Sequence, residues 1–427
     1  MTGCEGDAHN TADLVARRSY GKLIAFLAAR TRDVAAAEDA LSEAFAAALA
    51  DWPRNGCPQN PEAWLMTVAR RKFLDVTRAH RRETAADEFE MAEAIEAGTE
   101  QDEIPDRRLG LMFACAHPAI DAGIRAPLML QAVLGLDAAR IASAFLISPA
   151  TMGQRLVRAK HKIKQAAVPF CIPERGELRG RLDTVLDAIY AAFAEGWMDA
   201  AGTDVARRDL AEEAIYLCRV VTELLPSEPE SLGLLALMLH AEARRPARRG
   251  ANGEYVPLAD QDPARWNAQM IDEAEKLLMR ASAMGTVGRY QLEAAIQSAH
   301  VARRLTGTAD WKAVVQLYDA LITISGSPVA ALNRALAIAE LRGAAVALAE
   351  MDKVANDARL ADYQPYWAAR AELLSRIGAH EDAQHAYDVA IGMERDDSVR
   401  RFLEQRRALI RRTQSDRISP PEENATH

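Results

Sequence analysis

The stretch DAARIASAFLISPATMGQRLVRAKHKIK, Asp137 to Lys164, decides the fold. It predicts a helix, a tight turn and a second helix. Ala139, Ile141, Ala142 and Phe145 are expected to form the inner face of the first helix. Ser148 can cap the second, and Pro149 falls at its first position, where a missing N–H costs nothing. Met152, Leu156, Ala159 and Ile163 recur at helical spacing and are expected to pack inward. Arg155, Arg158 and Lys162 fall on the opposite side. A helix apolar on one side and Arg/Lys-rich on the other fits a recognition helix in the DNA major groove. The candidate DNA contacts are Ser148, Thr151, Gln154, Arg155, Arg158, Lys160 and Lys162. Arginine reads guanine edges bidentately, whereas Lys160 and Lys164 suit phosphates. A solvated basic face on a bundle helix has a similar composition, but here the cap, the turn length and the charge asymmetry coincide.

The surrounding charge supports a local DNA contact. The 427-residue chain carries a net charge of −9, yet from Asp106 to Ala166 the charge reverses. Arg107, Arg108, Arg125, Arg140, Arg155, Arg158, Lys160, Lys162 and Lys164 are opposed there only by Asp106, Asp121 and Asp137. A basic segment inside an acidic chain is the electrostatic footprint of nucleic-acid binding. Just before it, Glu83 to Asp106 holds ten carboxylates and no basic residue, which predicts a self-repelling linker.

Upstream, RDVAAAEDALSEAFAAALADW (Arg32 to Trp52) predicts an amphipathic helix with Val34, Leu41, Phe45 and Leu49 inward. Glu38, Asp39, Ser42 and Glu43 form its acidic outer face. The turn-rich PRNGCPQNP (Pro53 to Pro61) leads into EAWLMTVARRKFLDVTRAHRR (Glu62 to Arg82). There Leu65, Val68, Ala69 and Val76 are expected inward, and Arg70, Arg71, Lys72, Arg78, Arg81 and Arg82 supply positive charge.

Downstream, VPFCIPERG (Val168 to Gly176) marks a boundary, and Leu178 to Arg412 reads as helix after helix. Gly307, Gly343 and Gly378 recur at nearly equal intervals, each before an apolar helix. A period near 34 residues built from two helices is the tetratricopeptide pattern, although a non-repetitive bundle with chance glycine spacing would also present it. Ala, Leu, Arg and Glu dominate, aromatics are sparse, and no sustained period-two alternation argues for a sheet, so the fold class is all-α. The polar start predicts no secretory leader, and no apolar run approaches the roughly 18 residues of a membrane helix. Five scattered cysteines without a C-x-x-C pair read as reduced thiols of a cytoplasmic protein. The nine histidines show no metal-ligand spacing, and neither a metal nor a cofactor is expected.

AEDALSEAF (Ala37 to Phe45) followed by NPEAWLMTVARRKFLD (Asn60 to Asp75) resembles the conserved region 2 of sigma factors. IASAFLISPATMGQRLVRAKHKI (Ile141 to Ile163) resembles their region 4. The order, with an acidic linker between, is similar to the extracytoplasmic-function (ECF) group of the sigma-70 family. YAAFAEGW, EPESLGLLALMLHAEARRPAR, PLADQDPARWN and SPVAALNRALAIAELRG resemble the subgroup with a tetratricopeptide-like C-terminal extension. The resemblance implies sigma region 2 at 11–82, an acidic linker at 83–106, a region 4 helix-turn-helix at 107–167 and a helical-repeat extension at 177–412, while the polar, Pro-bearing end reads as a disordered tail at 413–427.

It also implies roles. Asp39, Glu43 and Phe45 would dock on the β′ clamp helices of core RNA polymerase, and the β flap would be a second polymerase contact. Asn55, Gln59 and Asn60 would trap an unstacked base of the −10 element, while Arg70, Arg71 and Lys72 hold the strand backbone. The second unit would read the −35 element, and the extension would contact the sigma modules and either inhibit or assist them. No membrane partner is implied. An enzyme is not expected, since the sequence lacks a P-loop, G-x-S-x-G, H-E-x-x-H and G-x-G-x-x-G. A helix-turn-helix regulator with a repeat-type sensor domain, acting without polymerase, is the alternative. It leaves the Ala37–Phe45 and Ala63–Asp75 segments without a task.

Overall fold

The computed structural model describes residues 2–31, 34–83, 104–145, 147–165, 172–197, 205–307 and 310–418. The expected linker therefore lies almost wholly outside the described residues, as do Val168 to Cys171 of VPFCIPERG and the final residues of the tail. Among the described residues the fold is all-α. There is no strand, only an isolated antiparallel bridge between Arg249 and Tyr255.

The chain forms two compact units. Met1–Met198 with Asp204–Pro226 make the first, and Ser227–His427 with Asp199–Thr203 the second. In the first unit, α1 (Thr2–Thr31), α2 (Val34–Asn55) and α3 (Pro61–Glu83) pack together. The buried stripe of α2 is Val34, Ala37, Ala40, Leu41, Ala44, Ala48 and Trp52. Four of its seven members are alanines, which let neighbouring helices approach closely. The expected inward residues Phe45 and Leu49 fall on the flank: Phe45 is half-buried and Leu49 is 40% exposed. Stepping by four residues drifts about 40° per step around a 3.6-residue helix, so a stripe drawn through the large side chains slides off the core side.

Two small helices, α4 (Arg107–Cys115) and α5 (Ala122–Ala132), form the centre of this unit. Every residue of α4 after Arg107 is buried. A helix apolar nearly all round needs neighbours on every side, and α4 has α1, α5 and α8 (Leu182–Trp197). The helices α6 (Ala138–Ala144) and α7 (Pro149–Gln165) follow. The helices α8 and α9 (Val205–Leu224) belong to the same compact unit. Leu182, Val185, Leu186, Ile189 and Phe193 of α8 are buried.

The second unit is a succession of helices that pack on their chain neighbours. They are α10 (Pro229–Ala243), α11 (Ala268–Ser282), α12 (Arg289–Thr306), α13 (Trp311–Ser325), α14 (Pro328–Arg342), α15 (Ala344–Asp352), α16 (Gln364–Arg376), α17 (His380–Met393) and α18 (Asp397–Ile418). The helix α10 is buried over Ser231–Ala241 and is clasped by α11 and α12. Gly233 makes its crossing with α12 possible: an added Cβ would stand 2.7 Å from the Gln291 backbone nitrogen. The three spaced glycines sit at helix ends with positive φ, at 73° for Gly307, 92° for Gly343 and 79° for Gly378. Glycine adopts this region without the penalty a Cβ brings, so the chain can reverse there. The helix α18 runs beyond the expected end at 412, as far as Ile418.

Candidate nucleic-acid interface

The helix α7 presents one dry and one wet side. Met152, Leu156 and Ala159 are buried, and Ile163 is half-buried. The Ser148 hydroxyl accepts a hydrogen bond from the Thr151 backbone N–H at 3.2 Å, and the two hydroxyls lie 2.7 Å apart. This caps the helix at the position the sequence indicates. Upstream, Asp137 caps α6 by accepting from the N–H groups of Ala139 and Arg140, both at 2.9 Å. Of the residues expected on the inner face of α6, Ile141 and Ala142 are buried, Phe145 is half-buried and Ala139 is exposed.

Ser148, Thr151, Gln154, Arg155, Arg158 and Lys162 are all exposed. The side chain of Lys160 is only 24% exposed and donates to Glu38 of α2, itself 13% exposed. Composition alone places Glu38 on the outer face of α2 and Lys160 toward phosphate; the structure turns both inward. Burial raises the Glu38 pKa, and the hydrogen bond and charge of Lys160 offset this only in part. Its other oxygen, Oε1, is buried without a hydrogen-bond partner. Beside it, burial and then the charges of Glu38 and Asp39 push the Tyr20 phenol up to about 12. Burial, then Glu38, also pushes the Cys115 thiol upward, so this cysteine is an inert core residue.

Arg107, Arg108, Arg125 and Arg140 of the basic segment make contacts within the fold. Asp106 caps α4 by accepting from Arg108 N–H at 2.7 Å, and it also receives the Arg108 Nη2 at 2.8 Å. The other side of that guanidinium pairs with Glu213 of α9. Burial opposes ionisation of Asp106, but the Arg108 bonds outweigh it and its pKa is lowered. Arg140 donates from Nε to Glu195 of α8 at 2.9 Å. Arg125 donates to the carbonyls of Ile120 and Pro118, and Arg107 lies 5.0 Å over the Phe26 ring. A cleft of about 620 Å³ runs along this seam, lined by Tyr20, Lys22, Arg108, Arg140, Glu213 and Tyr216 among others. Within this segment the exposed positive charge is therefore the outer face of α7, a smaller surface than the composition indicates.

In the α2–α3 connection, α2 ends at Asn55 and Gly56 reverses the chain at φ 86°. The Asn60 side chain accepts from Ala63 N–H at 3.0 Å and so caps α3, with Pro61 at the first helical position. Asn55 donates to Asp51 at 2.7 Å, while Gln59 is exposed. Trp52 and Trp64 pack edge to face at 5.5 Å beneath the connection. Arg70 and Arg71 are exposed on α3. Lys72 lies 3.2 Å from Glu43, in a solvent-exposed pair. Asp39 and Glu43 are exposed and Phe45 stacks with Tyr20 at 6.4 Å. The candidate polymerase contacts and the candidate −10 contacts thus occupy neighbouring helices. Val157, not singled out by the charge pattern, is 69% exposed on α7. Its place outside the Met152–Leu156–Ala159 stripe is the sequence signal that marks it.

The described residues thus present an exposed cationic helix beside helices with exposed acidic and basic faces. Residues 15–83 match the sigma-70 region 2 family model, and residues 181–282 match a family of unknown function (DUF6596). An uncharacterized protein of Rhizobium meliloti (strain 1021) is 37% identical over 383 residues, covering 87% of this chain and 89% of the relative. No solved structure matches the chain. The chain belongs to one family with that Rhizobium relative, and its region 2 supports a sigma-70 family sigma factor. Region 2 binds core RNA polymerase and promoter DNA. No described helix is long and apolar enough to cross a membrane, and no described group of His, Cys, Asp or Glu could hold a metal ion.

Proposed function

We propose that this chain is an ECF-type sigma factor whose extension begins as a brace against its second DNA-reading module. On this reading it works in the cytoplasm without catalytic residues of its own. The α1–α3 bundle engages the β′ clamp through Asp39, Glu43 and Phe45, and reads the −10 element with the α2–α3 connection, Arg70, Arg71 and Lys72. The helix α7 reads the −35 element. The helices α8 and α9 hold the second module through Arg140–Glu195 and Arg108–Glu213.

One observation carries the reading: α7 keeps Arg155, Arg158 and Lys162 exposed while its Lys160 is tied to the α2 helix that bears Asp39 and Glu43. The pair joins the candidate −35 reader to the candidate polymerase-binding helix. The helix pairs turning at Gly307, Gly343 and Gly378 support a tetratricopeptide-like array in the second unit, a surface suited to a protein segment.

Transcription with core polymerase tests this reading on the full chain and on chains ending at Pro226 and at Gln165. The Pro226 chain keeps the brace and the Gln165 chain lacks it. A difference between these two is expected, because only the shorter loses Glu195 and Glu213. Equal output from both contradicts the brace. DNA binding without polymerase association would favour a helix-turn-helix regulator instead.

A further inference from the structure

We infer that Val157 is a specificity residue that reads the 5-methyl group of a thymine in the upstream promoter element. The inference rests on the reading of α7 as the helix that enters the major groove. At 69% exposure Val157 is the most exposed large hydrophobic side chain among the described residues, on a helix whose apolar needs Met152, Leu156 and Ala159 already meet. A β-branched residue there has only modest helix propensity, and its methyls stand in water. Neither the packing of α7 nor its helicity accounts for it.

Its neighbours are those of a reading residue. Around the helix Val157 falls on the outward side with Gln154 three residues before, Arg158 next to it and His161 four residues after, all exposed. A helical side chain leans over the turn that precedes it. That turn holds Gly153, which lacks a side chain and whose nearest neighbour, Ala138 Cβ, is 3.9 Å from where a Cβ would be. The valine methyls thus border a bare strip of backbone beside a guanidinium and an amide. In the major groove the only apolar group on a base edge is the thymine methyl, which apolar side chains read. Arg158 or Gln154 can take the hydrogen-bonding edge of one base while Val157 takes the methyl of its neighbour. Valine can supply no other kind of base contact.

The test uses the full-length chain bound to core RNA polymerase and promoter duplexes selected from a library. Each thymine of the selected upstream element is replaced in turn by deoxyuridine, which removes only the methyl. One such replacement is expected to weaken wild-type binding about fourfold, the worth of one buried methyl at about 0.8 kcal/mol. Val157→Ala should bind the thymine duplex weaker by a similar factor and be indifferent to that replacement. Val157→Ile should restore the response. Lys162→Ala should still feel the methyl while its salt dependence falls, and Val157→Ala should keep the wild-type salt dependence. The inference is overturned if no replacement matters, if the methyl effect survives in Val157→Ala, or if the element contains no thymine. A holoenzyme that selects a downstream element but no upstream one sinks the reading of α7 itself, and this inference with it.

Discussion

Lys160 of α7 donates to the Glu38 carboxylate of α2, tying the cationic helix to the helix that carries Asp39 and Glu43. Both side chains are mostly buried, so removing one partner leaves the other poorly solvated rather than merely unpaired. Lys160→Ala is expected to lower the stability of the first unit by about 1–3 kcal/mol, read by denaturant unfolding. Glu38→Gln should cost less, because it removes the buried charge together with its partner's attraction. The opposite order would contradict the pairing.

The raised pKa of Glu38 has a sign. The folded form binds a proton more tightly than the unfolded chain does, so this group's contribution to stability declines as pH rises from its ordinary 4.5 through the raised folded value. Glu38→Gln should flatten that slope in unfolding midpoints measured across this range. An unchanged slope would show that Glu38 is not its source.

His240 acts in the other direction. Burial, then Arg244, lowers its pKa to about 4, and burial with Arg244 and Arg303 does the same for His300. Glu275 stands 3.4 Å from the His240 Nε2 but does not restore the proton. The unfolded chain protonates these rings near 6.5 while the folded one does not, so the second unit loses stability as pH falls from about 6.5 toward 4. His240→Leu should reduce the acid sensitivity of its melting. A steeper dependence would contradict a neutral buried ring.

Gly21 of α1 packs against the turn after α5, where an added Cβ would stand 2.1 Å from the Val133 carbonyl oxygen. Alanine would ordinarily favour a helix interior by about 1 kcal/mol over glycine. Here the clash is with backbone, so Gly21→Ala is expected to destabilise by about 1–3 kcal/mol. A raised melting temperature would mean that α1 does not lie this close.

For DNA reading, Arg155→Ala or Arg158→Ala should cost about 1–3 kcal/mol of discrimination at one base pair if the side chain is bidentate to guanine. Lys162→Ala should weaken binding to all sequences alike and reduce the salt slope by about one. Equal losses on specific and scrambled duplexes for both arginines would refute base reading.

The helical fold and the α6–α7 turn were legible because local rules suffice there: Ser148 and Pro149 mark the start of α7, and Met152, Leu156 and Ala159 keep helical period. Long-range pairing was not. Nothing local distinguishes Lys160 from Arg158 or Glu38 from Asp39, and only the ion pair between α7 and α2 separates them. Arg108 and Arg140 were likewise read as positive surface because their partners Glu213 and Glu195 lie far along the chain. In α2 the alanine stripe outweighed larger residues, since close helix contact selects small side chains. Asn55 and Asn60 were legible as loop residues, but each bonds its own helix end, through Asp51 and Ala63.

The most direct measurement is assembly of the purified full-length chain with core RNA polymerase, followed by promoter opening on duplexes selected by that complex. The account predicts co-elution and strand opening that fail together when Asp39 and Glu43 are reversed to lysine, with DNA-sequence preference then carried by α7. A chain that binds duplex DNA selectively while never associating with polymerase would contradict it.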